Sequence, residues 1–192
     1  ISTNGSKSQT KWTANTLRTH YLVNIKNRTK TEIIKNLNGN VYPSPKGNFI
    51  IYFNRENGNW YSYNIAEKTT EHLNKNLKNS FVDEEFDMPD LPRSYGLATF
   101  TDNEESVIIK DRYDLWEFFL KKKQTPNNIT KNIGRSQKIK FETYDFDPEI
   151  KSINRKKTIY LSAFDTTTKQ SGVYKLLINA NKNPERVVML DK

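Results

Sequence analysis

Two groups of charged residues have the types and spacing that binding or catalysis could use. The denser group is an acidic patch, and carboxylate oxygens are ligands that Ca²⁺ prefers in proteins. Its spacing is not that of a calcium-binding loop, so we expect a solvated connecting loop whose carboxylates pair with nearby lysines. The patch consists of Asp83, Glu84, Glu85, Asp87 and Asp90.

The second group is the sequence Asp111-Arg112-Tyr113-Asp114, which lies between two predicted strands. The guanidinium group of Arg112 can bridge two carboxylates, and such a bridge would brace the hairpin. We expect this structural role. Lining a central channel is the functional alternative for these residues.

Composition restricts the class of protein. The chain has 192 residues, 12% of them aromatic, which is enough for one domain with a core and unlike a disordered chain. Its formal net charge is +9, but the basic residues are scattered, so we expect no nucleic-acid partner. The longest basic run, Lys121 to Lys123, falls at an expected turn.

The sequence has no cysteine, no membrane-spanning run and no visible signal peptide. Without cysteine there can be no disulfide and no thiolate metal site. No apolar run is long enough for a membrane span, and no signal peptide is visible. Because the chain begins at Ile1, we expect a piece of a longer protein. The sequence leaves the compartment open and slightly favours an exported or periplasmic location over a cytoplasmic one.

A pattern that recurs four times predicts the architecture. In each copy an aromatic residue stands four positions before a terminal aliphatic residue, and a turn and a polar strand follow. The stretch of chain from one copy of the pattern to the next holds about four short strands, which is typical of β-propeller blades. We expect Trp60 and Trp116 to pack between blades; stacking on a ligand is the alternative. The aromatic positions are Tyr21, Tyr61, Trp116 and Tyr174.

The predicted fold is all-β: a partial β-propeller of about three to four four-stranded antiparallel blades. Such a partial ring cannot close, so we expect an open fan or self-association through exposed blade edges. Prolines exclude a long helix from the insertion at 77–95. The predicted strands cover 20–26, 31–34, 49–53, 60–65, 69–73, 96–100, 106–110, 115–120, 128–130, 138–144, 158–164, 173–178 and 186–190. The predicted units are a polar leader at 1–16 anchored only by Trp12, a partial blade at 17–40, and blades at 41–76, 77–135 and 136–192.

Three motifs carry a resemblance to a known family. The sequence at 44–52 resembles a blade-opening motif of prolyl oligopeptidase family propellers, and those at 87–96 and 111–116 resemble a long bacterial branch of that family. The resemblance is best over 40–135. Phe100 stands where the family would have tryptophan, and Lys46 stands where a blade turn usually has an aspartate that can brace it.

The resemblance implies a function for a longer parent protein. In this family a propeller caps an α/β-hydrolase domain whose serine lies on a Gly-x-Ser-x-Gly elbow and is followed by Asp and His. Some relatives bind the amino terminus of a peptide substrate with paired propeller glutamates, but in a sequence context that differs from the acidic patch here. The implied partners are therefore a hydrolase domain of the same parent chain and the peptide substrates of that parent.

This segment lacks the residues for hydrolysis. Gly5-Ser6 and Ser171-Gly172 have no second glycine at the spacing of the elbow, and His20 and His72 fall on or beside predicted strands. We expect no catalytic, cofactor-binding or metal-binding residue here. The predicted function is a non-catalytic propeller segment of a serine peptidase that covers the active site and restricts peptide access. The alternative is a propeller scaffold for protein–protein interaction with no hydrolase partner.

Overall fold

A computed structural model describes residues 2–4, 17–144 and 151–191. The described strands form four separate sheets, and all pairs except one are antiparallel, which confirms an all-β fold with several antiparallel sheets. These strands do not close into a barrel. Most strands fall where β-branched and aromatic residues were concentrated, the residue types that suit a pleated surface.

The first and second sheets are antiparallel meanders in chain order. The first has the order β1-β2-β3 and the second the order β4-β5-β6-β7. Tyr21 and Tyr61 of the repeat lie on β2 and β6. The strands are β1 Ser2–Asn4, β2 Arg18–Asn24, β3 Thr29–Leu37, β4 Gly39–Pro43, β5 Phe49–Asn54, β6 Asn59–Asn64 and β7 Thr69–His72.

The chain returns from the fourth sheet to the third for one short strand before it completes the fourth sheet. The third has the order β11-β10-β9-β8-β13, and β13, which follows β12 in the chain, pairs parallel with β8. The fourth has the order β12-β14-β15-β16, with Trp116 and Tyr174 on β10 and β15. The elements are β8 Leu97–Thr101, β9 Ser106–Lys110, β10 Leu115–Phe119, β11 Asn127–Asn128, helix α1 Ile133–Gln137, β12 Ile139–Thr143, β13 Ser152–Ile153, β14 Ile159–Asp165, β15 Ser171–Leu176 and β16 Glu185–Leu190.

The structure corrects parts of the predicted division. Residues 2–4 pair with β2, so this part of the expected leader is a strand. The rest of the leader, 5–16 with Trp12, lies outside the described residues, and so does the turn predicted near Asp147-Pro148. The second sheet begins at Gly39, inside the predicted 17–40 unit. A Cβ at this position would lie 1.7 Å from the carbonyl oxygen of Phe53, so only glycine fits there. Strands β4 and β13 and helix α1 were not predicted.

The four sheets stack face to face in chain order around three hydrophobic cores. Adjacent residues of one strand enter different cores: Ile50 faces the first sheet and Ile51 the third, while Ile109 faces the second sheet and Ile108 the fourth. Both faces of the second and third sheets are therefore apolar and covered. The cores contain Ile34, Leu37, Ile50 and Tyr63 between sheets one and two; Phe49, Ile51, Phe53, Trp60, Leu73, Phe81, Phe100, Val107, Ile109, Trp116, Phe118 and Leu120 between two and three; and Ile108, Leu115, Ile129, Ile139, Phe141, Leu161, Ala163, Tyr174, Leu176 and Ile178 between three and four.

Four hairpin turns share one local design. The Oδ1 atom of an Asn or Asp at the end of a strand accepts a hydrogen bond from the backbone N–H two residues later, at 2.7 to 3.0 Å. The fifth residue has a positive φ, between 56° and 68°, which favours glycine. Only one of the four turns has glycine there. The paired positions are Asn24 with Arg28, Asn54 with Gly58, Asn64 with Lys68, and Asp165 with Lys169.

A buried carboxylate joins the second sheet to the third. Glu104, 1% exposed in the turn between β8 and β9, accepts hydrogen bonds from Lys46 N at 2.6 Å and from Asn48 Nδ2 at 2.7 Å. Burial acts to raise the pKa of Glu104, but hydrogen bonds from Ser44, Asn48 and the backbone outweigh it and hold the pKa below its usual value. The neighbouring sheet therefore supplies the acidic brace that Lys46 does not provide to its own turn.

A second buried carboxylate joins the third sheet to the fourth. Glu117 on β10 is fully buried, and its Oε1 lies 2.6 Å from Arg155 Nε and 2.6 Å from Ser106 Oγ. Arg155 comes from the segment between β13 and β14. Because a buried charge is costly unless it is paired and hydrogen-bonded, this contact fixes the position of the fourth sheet on the third.

Replacing Lys68 by glycine should stabilise the protein. The backbone of Lys68 has a φ of 56°, and the K68G variant relieves this strain, so the free energy of unfolding should rise by about 0.5 kcal/mol. Lys35→Gly, on the exposed edge of β3, is the matched control and should lower it, because glycine weakens a strand. Urea denaturation measures both, and a K68G variant less stable than the parent chain contradicts the turn geometry.

Replacing Glu104 by glutamine should destabilise the protein at neutral pH by about 2 kcal/mol, because an amide nitrogen cannot accept the donated hydrogen bonds. The folded pKa of Glu104 is depressed, so its contribution is complete above the ordinary pKa of 4.5 and is lost as the pH falls through the folded value. The difference between the E104Q variant and the parent chain should therefore shrink in acid. Glu56→Gln, at an exposed turn position, is the control; equal losses for both variants, or a pH-independent difference, would contradict this role.

Candidate functional site

The insertion between β7 and β8 runs across one end of the second and third sheets. It has no helix, as the prolines predicted, and within the described residues its backbone ladder is limited to one bridge, between Val82 and Ser94. Phe81, 1% exposed, anchors it in the core and meets Trp116 edge-on with ring centroids 6.1 Å apart. The predicted acidic patch is thereby held against the turn between β9 and β10.

The patch carboxylates pair with cations from three other elements. Glu84 lies 3.5 Å from Arg112 Nη1 and 3.1 Å from Arg135 Nη2, and Glu85 lies 2.5 Å from Arg112 Nη2 and 3.5 Å from Lys140 Nζ. The expected loop with lysine partners is thus corrected in one respect: most partners are arginines. Planar guanidinium groups bridge several carboxylates more readily than an ammonium does.

Two further residues of the patch differ in their surroundings: Asp90 is held by an ion pair, whereas Asp87 is exposed. Asp90 forms an ion pair with Arg55 at 2.7 Å, with side chains 16% and 12% exposed. Arg55 Nη2 also donates to the carbonyl oxygen of Leu91. Asp87 is exposed, and no ion pair to it occurs within the described residues. The patch therefore divides into two anchored points with an exposed stretch between them.

The turn between β9 and β10 is braced by its own aspartates. Asp111 Oδ1 accepts from the backbone N–H groups of Tyr113 and Asp114 at 2.8 Å, and Oδ2 accepts from Trp116 Nε1 at 3.0 Å. Arg112 bridges two carboxylates, as predicted, but they are Glu84 and Glu85 of the insertion, so the bridge ties the hairpin to the insertion and does not brace it internally. The short aspartate side chain is the group that lies close enough to bind the turn backbone.

Asp114 connects this turn to helix α1. It is fully buried and accepts from Thr130 Oγ1 at 2.6 Å and from the backbone N–H groups of Gly134 and Arg135 at 3.0 Å. Burial raises the pKa of Asp114, although these three hydrogen bonds act in the opposite direction. The bonded helix residue Arg135 is the same one that reaches Glu84, so the insertion, turn and helix form one unit.

The cluster of Glu84, Glu85, Arg112, Arg135 and Lys140 is internally paired. To bind the amino terminus of a substrate, the glutamates would have to exchange arginine partners for an ammonium group. The arrangement instead suits a strap that fastens the insertion to the third and fourth sheets. Charge-assisted hydrogen bonds of this kind fix geometry as well as contributing energy.

The histidines lie on different sheets, His20 on β2 and His72 on β7. Burial lowers the pKa of both. His72 stacks on Tyr61 with ring centroids 4.9 Å apart. Across the described ranges neither imidazole has a hydrogen bond or ion pair to a serine or a carboxylate, so the geometry of a catalytic base is not formed there.

The tryptophans pack as predicted. Trp60 is fully buried, with its ring 5.2 Å from Phe53 and 5.8 Å from Tyr42. Trp116 is 7% exposed in the same core, and its Nε1 donates to Asp111. Neither ring has the open face that stacking on a ligand requires.

Other predicted features have simple locations. Lys121 to Lys123 are exposed in the connection between the antiparallel strands β10 and β11, which confirms a solvated hairpin tip. In the part of the chain that is described, no three His, Cys, Asp or Glu side chains gather closely enough to hold a metal ion, and no helix is long and apolar enough to cross a bilayer.

Sequence reasoning missed Glu117 as a tether, although a glutamate inside the apolar strand Leu115–Phe119 is itself a signal of a buried charge.

Replacing Glu84 by glutamine should loosen the insertion. The variant leaves Arg112 and Arg135 with fewer carboxylate partners, and we expect a loss of about 1 kcal/mol in the free energy of unfolding. Asp87→Asn makes the same charge change at an exposed position and should have no effect. Thermal melting measures both, and high salt should reduce the difference because it screens ion pairs. Indistinguishable melting of the two variants would contradict the strap.

Comparisons with known proteins give no identity for the chain. No model of a known protein family matches it, and no curated protein sequence matches it at a significant level.

Proposed function

We propose that this chain is a partial β-propeller, of about three to four blades, from a prolyl oligopeptidase-like serine peptidase. The observation that carries the proposal is the stacking of four sheets in chain order, with the repeat aromatic on the third strand of the second, third and fourth meanders. Face-to-face stacking of four-stranded meanders is how propeller blades pack. The motif resemblance at 44–52, 87–96 and 111–116 supports the choice of family.

The role of the segment in the parent protein is steric. Among the described residues there is no nucleophile paired with a base, so the hydrolytic chemistry would belong to an α/β-hydrolase domain of the same parent chain. The propeller would cover that active site and admit peptides while excluding folded proteins. The strapped insertion would keep one end of the sheets rigid, which a size filter requires.

The test is peptide hydrolysis by the full-length parent protein, with and without a serine-directed inhibitor. The proposal predicts cleavage of short peptides that the inhibitor abolishes, and little cleavage of folded proteins. Glu104→Gln in the full-length protein should raise cleavage of larger substrates relative to Glu56→Gln, because it loosens a junction between sheets. Absent or inhibitor-insensitive hydrolysis would overturn the assignment.

The second candidate is a propeller scaffold for protein–protein interaction with no hydrolase partner. It is favoured by exposed apolar residues on β16, where Val187 and Leu190 are 53% and 62% exposed. The sequence that follows in the parent gene discriminates the two. A Gly-x-Ser-x-Gly motif followed by Asp and His supports the peptidase, whereas further blades alone support the scaffold.

A further inference from the structure

A small polar cavity of about 230 Å³ lies between the first and second sheets, beside the end of the insertion. It is a cleft open to solvent, lined by the start of β2, the β3–β4 connection, the end of β5 and the last residues of the insertion. Its lining is mainly polar and carries three guanidinium groups. They belong to Arg18, Arg55 and Arg93, and Asn38 and Ser94 also line the cavity.

Two of these three cations are uncompensated. Arg55 is neutralised by Asp90 at 2.7 Å and held by the carbonyl oxygen of Pro92. Arg18 and Arg93 have no ion pair within the described residues, and both side chains are exposed. The cavity therefore holds an excess of two positive charges, one from each side.

The neutral part of the lining offers a ligand few accessible donors. The hydroxyl of Ser94 is inaccessible to solvent and has no hydrogen-bond partner in the described structure. Asn38 is only 5% exposed. Because water cannot reach the Ser94 hydroxyl, a ligand cannot reach it either, so the guanidinium groups of Arg18 and Arg93 are the donors that the cavity offers.

We propose that this cavity binds the phosphate group of a phosphorylated ligand. A phosphate monoester carries a charge of about −1.5 to −2 at neutral pH, which matches the two uncompensated guanidinium groups. Arginine binds phosphate oxygens through paired N–H donors, and Arg18 and Arg93 approach the cavity from opposite sides. A carboxylate has the same sign but only two oxygens and one charge, so it binds more weakly. The site does not depend on the peptidase assignment.

The probe is inorganic phosphate, titrated into the 192-residue chain at constant ionic strength. The measurement is the NMR shift of the arginine Nε–Hε signals in the unmodified protein. The expected result is saturable shifts of Arg18 and Arg93, with acetate binding more weakly. A linear response that chloride reproduces would overturn the proposal.

Variants then locate the site. Arg93→Gln and Arg18→Gln should each weaken phosphate binding by about tenfold, the loss of one charge-assisted hydrogen bond. Arg186→Gln, an exposed arginine on β16, is the control with the same charge change and should bind as the parent chain does. Equal weakening by R186Q and R93Q would show a general charge effect and overturn the site. If a variant fails to fold, the signals of the unmodified protein decide the question.

Discussion

The structure depends on sheets that are apolar on both faces. In β5 and β9, neighbouring residues enter opposite cores, so the second and third sheets are stable only between two others. A single hairpin or meander of this composition would leave one apolar face in water. Chain-order stacking follows directly, because each sheet covers the face that its predecessor exposes. The polar overall composition is compatible with this, since a few aromatic residues bury large areas.

Stacked sheets can slide over one another, and buried carboxylates prevent this at the junctions. Glu104 binds the turn of the second sheet, and Glu117 binds Arg155 beside the fourth sheet. Asp111 and Asp114 do the same for the turn and helix beside the insertion. Each carboxylate is surrounded by donors, which offsets the cost of its desolvation. These four acidic residues of a basic protein therefore act as tethers, whereas Arg18 and Arg93 of the small cavity have no ion-pair partner in the described structure.

The sequence predicted most strands because their signals are local: alternating apolar residues, Asn-Gly and proline-rich links. It missed β4, since glycine and proline are poor strand formers and only the approach of Gly39 to Phe53 favours pairing there. It missed Ser152–Ile153, because two residues pair with β8 through a distant parallel contact. For the candidate site it found the acidic patch and the 111–114 turn but not their partners. Arg135 and Lys140 are brought to the patch by tertiary packing, which no local sequence pattern encodes.

The central claim, that burial of both sheet faces holds the molecule together, is tested most directly by native-state hydrogen exchange of the backbone amides. The account predicts that amides of β5, β6, β9 and β10 exchange slowest, through global unfolding, because these strands lie between two cores. Amides of β2, β3 and β16 should exchange faster, through local opening. Slower exchange in the first or fourth sheet than in the second and third would contradict the account.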